Sequence, residues 1–172
     1  MKKISDYLGE SLTLIQPSLF KREFELKSST ELIAKMYYPK FFSTTAVVEV
    51  SNEKFEIKTP SIWRSDLEIY KADYQMPFAK FTSTNFWKTK GEIELPRGER
   101  VYLKFGIFKK SCEVYSPANE LLVLFQNKFS FKEKNVITIE HRSELLDEYP
   151  WLIMVAWYKI LQRNRRNSAA SA

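Results

Sequence analysis

The sequence predicts a mainly β fold: a closed antiparallel barrel of about eleven to twelve strands around a hydrophobic C-terminal helix. Three observations carry this. Short segments of period-two hydrophobicity recur from residue 18 to 140. Turn-forming residues separate them at the spacing typical of sandwiches and barrels. A wholly apolar run then follows near the C-terminus.

The 172 residues, 44% of them hydrophobic, suffice for one domain with its own core. Residues 1–17 read as a lead-in, 18–140 as strands, 144–162 as the central helix and 163–172 as a polar tail. Phe20, Phe24 and Leu26 alternate with Lys21, Glu23, Glu25 and Lys27, so one face is apolar and the other charged. Arg22 interrupts the apolar face, which opens one end of that strand to water. Ala46, Val48 and Val50 form the next apolar face, and Phe55 and Ile57 the one after. Ser51-Asn52-Glu53 between them reads as a tight hairpin loop. Leu67 and Ile69 follow, then Val101, Leu103, Phe105 and Ile107 against Arg100, Tyr102 and Lys104. Leu121–Phe125 is solidly apolar, and Val136–Glu140 is β-branched through its middle. Helical patterns do not alternate with these runs, which argues against a parallel α/β sheet.

Ser143 to Pro150 reads as a helix start, with Ser143 and Asp147 as cap candidates. From Trp151 to Tyr158 no helical register leaves a polar face, so protein or lipid must wrap the segment. Pro150 to Leu161 spans about 18 Å as a helix, against about 30 Å for a bilayer core. A transmembrane span is therefore not expected. The preceding strands supply the enclosure, with Trp151, Ile153, Met154, Val155 and Trp157 at its centre.

That arrangement resembles the tubby C-terminal domain, whose plan the phospholipid scramblases and plant LURP-one-related proteins share. The residues carrying the resemblance are the ladder from Lys54-Phe55-Glu56-Ile57-Lys58 through Leu67–Asp73, Phe86–Ile93 and Arg100–Phe105 to Cys112–Tyr115. The ending Pro150–Tyr158 completes it. The resemblance spans residues 18–162 and implies a barrel threaded by its last helix. It carries over no individual binding residue.

Chemistry is sparse. His141 and Cys112 are the lone histidine and cysteine, which leaves no His or Cys cluster for a metal and no disulfide. His141 stands at a strand end beside the expected helix cap, and Cys112 alternates with Val114 as a small core residue. P-loop, dinucleotide-binding and nucleophile-elbow motifs are missing. The expectation is a non-enzymatic protein without cofactor or metal. Its start is basic, but Asp6 and Glu10 interrupt any apolar signal region, so a cytoplasmic location is expected, with peripheral membrane attachment as an option.

The net charge of +6 invites an anionic partner. Lys88, Lys90, Arg100 and Lys104 are expected to align on outward strand faces as a binding stripe. The expected function is a binding or adaptor module that takes anionic phospholipid or a protein partner through this basic face, with nucleic acid disfavoured. The alternative is a barrel carrier of a small apolar ligand, which a helix filling the lumen opposes.

Overall fold

The computed structural model describes residues 2–40, 42–60, 65–106, 111–127 and 134–170. The strands are β1 (Ser11–Ile15), β2 (Glu23–Lys27), β3 (Leu32–Tyr37), β4 (Ala46–Val50), β5 (Glu53–Lys58) and β6 (Leu67–Lys71). They continue as β7 (Ala79–Ser83), β8 (Lys90–Glu94), β9 (Arg100–Phe105), β10 (Cys112–Tyr115), β11 (Leu121–Asn127) and β12 (Lys134–Ile139). Helices α1 (Glu144–Glu148) and α2 (Leu152–Ala170) follow. Each strand pairs antiparallel with its sequence neighbours, and β1 pairs with β12, Leu12 opposite Ile137, to close the barrel. Closure removes the unpaired edges that would otherwise template aggregation.

The pleat sends alternate side chains inward. Leu12, Leu14, Leu26, Ile57, Phe81, Ile93 and Val101 are buried, while the outer face carries ion pairs such as Lys35–Glu23 at 2.8 Å and Lys58–Glu56 at 2.7 Å. The β4–β5 hairpin turns on Ser51 and Asn52, both at positive φ, which suits the right-handed twist of the flanking strands.

Helix α2 fills the lumen. Every residue from Trp151 to Leu161 is buried, the five expected at the core centre among them. Trp151 packs against Phe55 at 5.8 Å between ring centroids, and Trp157 meets the edge of Phe24 at 5.9 Å. Among the described residues no helix is long and apolar enough to cross a membrane.

Several boundaries differ from the sequence reading. Ser11–Ile15 lies in the expected lead-in, yet forms β1, because Leu12 and Leu14 find an inward face opposite β12. Phe20 belongs to a loop and is 93% exposed; Arg22 ends the alternation before β2 begins at Glu23. Ile107 lies outside the described residues. The expected single helix is two, because Tyr149 (φ −121°, ψ 61°) and Pro150 break it. Helix α2 also runs on through the expected polar tail to Ala170. Ser143 makes no side-chain cap bond; Asp147 instead accepts from the Ser5 backbone N–H at 2.8 Å. That contact fastens α1 to a short 3-10 turn, Ile4–Tyr7.

The barrel thus has two different ends. The 3-10 turn and α1 cover one, called here the capped end. At the other, the exit end, α2 leaves the lumen among the β1–β2, β3–β4, β5–β6 and β7–β8 loops.

Candidate functional site: the exit end of the barrel

Charge separates between these ends. Among the described loop residues of the exit end and the last turns of α2 there are seven cations. Lys21, Arg22 and Lys40 lie on the first two loops, Lys88 on the β7–β8 hairpin, and Arg163, Arg165 and Arg166 on the helix. One carboxylate, Asp66, stands among them. At the capped end the described loops and α1 carry ten carboxylates against four cations. Among the described residues, then, positive charge gathers at the exit end and negative charge at the capped end.

The exit end also carries large apolar side chains in water. Phe20 (93% exposed), Phe42 (91%), Phe86 (88%) and Trp87 (78%) are the four most exposed large hydrophobic residues described, and all four sit on its loops. Exposed aromatics gathered on one end mark an interaction surface more than a scatter would.

Asn85 braces the β7–β8 tip with three hydrogen bonds. Asn85 Oδ1 accepts from the backbone N–H of Thr89 at 2.9 Å and of Lys90 at 3.0 Å, and its amide donates to Thr89 Oγ1 at 2.8 Å. These bonds hold Lys88 at φ 54° and present Phe86 and Trp87 edge to face, 5.4 Å apart. Arg163 fastens α2 to this hairpin: its guanidinium donates to the Lys88 carbonyl and stacks on Phe105 at 4.8 Å. Burial holds Arg163 below its ordinary range.

Of the four residues predicted as a binding stripe, three come together here. Lys88 is on the tip, and Lys90 and Lys104 face each other across β8 and β9. Lys104 lies 4.1 Å above the Tyr115 ring. Arg100 sits at the capped end of β9 and pairs with Glu92 at 3.3 Å. Glu92 stands between Arg100 and the lysines, and Glu94 lies directly opposite Arg100, so the four make no continuous basic stripe.

His141 and Cys112 are far apart in the fold. His141 Nδ1 lies 2.9 Å from the Leu121 carbonyl at the capped end. Cys112 begins β10 near the exit end, is fully buried, and burial pushes its thiol far up.

The sequence reading put Phe86 and Trp87 beside Lys88 and Lys90, but it counted Phe20 as part of a strand face, did not single out Phe42, and gave Arg22 no place in a site. The one signal for Arg22 was the break that it makes in an otherwise apolar face.

No family model matches the sequence, and no curated protein does. The fold is similar to that of a crystallographically solved Arabidopsis thaliana protein, with a TM-score of 0.61 over 91% of this chain and 95% of that chain. Identity is 11%, so this likeness shows the fold alone.

Proposed function

We propose that this protein is a non-enzymatic, tubby-like binding module that docks end-on at an anionic phospholipid surface. The observation that carries this reading is the exit end itself, where the described residues set seven cations against one carboxylate around four exposed aromatic side chains. Cations near an anionic membrane contribute about 1 kcal/mol each, and aromatic rings settle at the headgroup level. The two act together only when they share one face, as they do here. Tubby-like barrels with a threaded last helix share this element order, which supports the assignment by plan alone. Carriage of a small ligand is the weaker reading, since Trp151 and the first turns of α2, to Leu161, are buried in the lumen. The module works from the cytoplasmic side, as a peripheral protein.

Co-sedimentation with phosphatidylcholine vesicles, with and without phosphatidylserine, tests the proposal. The protein pellets only with the anionic vesicles, and binding weakens as salt rises. W87S and F20S each reduce it. Binding that ignores both lipid charge and salt would sink the reading.

A further inference from the structure

Tyr38 follows β3 at the exit end, and two guanidinium groups share its ring. The Arg22 guanidinium carbon lies 3.6 Å from the ring centroid and that of Arg165 lies 5.0 Å from it. Tyr38 is itself buried and stacks on Tyr158 of α2 at 6.0 Å. The Tyr158 hydroxyl donates to the Thr44 carbonyl at 2.5 Å, and Arg22 Nη1 donates to the Ser43 carbonyl at 3.0 Å. The β1–β2 loop, the β3–β4 loop and α2 therefore converge on one aromatic platform.

Two like charges on one ring repel. Burial, and after it the Arg165 charge, hold Arg22 below its ordinary range. Arg166, on the next residue of α2, adds its charge at Tyr158 and Lys159. A doubly charged anion accepting from both guanidinium groups would turn that repulsion into attraction. Guanidinium forks match the spacing of phosphate oxygens, and Arg in this role is not interchangeable with Lys.

We infer that Arg22 and Arg165, held on Tyr38 with Arg166 beside them, form a subsite for a phosphate monoester. A monoester carries close to two charges near neutral pH and three acceptor oxygens. The group comes from a lipid headgroup or from free phosphate. The lipid source rests on the docking proposed above, whereas the free source does not.

Two measurements test the subsite. Calorimetric titration with inorganic phosphate reads the free source. Vesicle binding compares phosphatidylcholine doped with phosphatidic acid, a monoester, against phosphatidylcholine doped with phosphatidylserine at matched surface charge. The wild-type chain prefers phosphatidic acid. R165K keeps the charge but loses the fork, and it cuts the ratio of phosphatidic acid to phosphatidylserine binding about tenfold. K21Q, at the same end, weakens both vesicles alike. Arg165 is exposed on the helix end, so R165K folds even if R22Q does not. Equal loss on both vesicles in R165K, or no wild-type preference and no phosphate heat, overturns the subsite and leaves docking standing. Phosphate binding that R165K abolishes, without binding to either vesicle, upholds the subsite and overturns docking.

Discussion

Lys159 donates its ammonium to the Ser65 carbonyl inside the barrel. The same amine donates to Gln162 Oε1 at 2.6 Å and lies 4.6 Å above the Phe81 ring. Burial, reinforced by Arg166, lowers its pKa to about 7, and Asp66 opposes this only in part.

Stability therefore depends on pH through this residue. Below about pH 7 Lys159 is charged in both folded and unfolded chains, and the burial penalty is fully present. Between there and the ordinary lysine value only the unfolded chain holds the proton, so stability rises with pH by at most about 1.4 kcal/mol per unit. Above the ordinary value the penalty is gone. Urea midpoints taken across pH 6.5 to 10 read this slope (roughly the lysine window). K159M flattens it; a wild-type profile with no such rise contradicts the assignment.

Gly91 on β8 faces the Phe81 ring so closely that an added Cβ would overlap its Cε2 and Cζ atoms and touch the Thr82 carbonyl at 3.0 Å. G91A costs about 1–3 kcal/mol, as overpacking does. Trimming the ring in F81L makes room, so the double variant loses less than the two single losses added together. Equilibrium unfolding of all four chains gives the coupling.

Trp157 is fully buried, yet its indole N–H meets no acceptor among the described residues. Its described contact is edge-on packing against Phe24. W157F keeps most of the ring and loses within about 1.5 kcal/mol, whereas W157A leaves a cavity and loses about 3–5 kcal/mol. Similar losses in the two variants would assign the indole N–H a partner.

Cys112 is shielded from water, and burial disfavours its thiolate. A thiol reagent that reacts with thiolates modifies it only as the barrel opens. The labelling rate in dilute urea follows the unfolding equilibrium, and rapid labelling of the native protein would place the thiol at the surface.

Strand character was legible where one face is strongly apolar, as in Val101, Leu103 and Phe105 of β9. It was faint in β7, where Ala79 and Phe81 alone point inward, and in β1, where Leu12 and Leu14 are flanked by polar residues. Their partners decide these strands: Leu67 and Ile93 flank Phe81, and Ile137 stands opposite Leu12. The lumen helix was readable because a run apolar on every side has few destinations. Its extension past Gln162 was not, since Arg163 to Ser168 are polar and are kept helical by contacts such as that of Arg163 with Lys88. Of the exit-end cluster only the lysines of β8, β9 and the β7–β8 hairpin were readable, and the rest was hidden for a different reason. Its cations span Lys21 to Arg166 in sequence, and only barrel closure makes neighbours of Arg22 and Arg165.

The pairing of β1 with β12 also sets the order in which the molecule can be made. Eleven of the twelve strand pairings join sequence neighbours and form locally, but Leu12 must wait for Ile137. The side chains that fill the lumen come later still, from Trp151 onward. During synthesis β1 to β11 leave the ribosome with their inward faces unfilled, the condition in which nascent chains aggregate. Native structure is then a late, all-or-none event in the life of the polypeptide, and a ribosome that stalls before Trp151 releases a substrate for chaperones and proteases rather than a partial barrel.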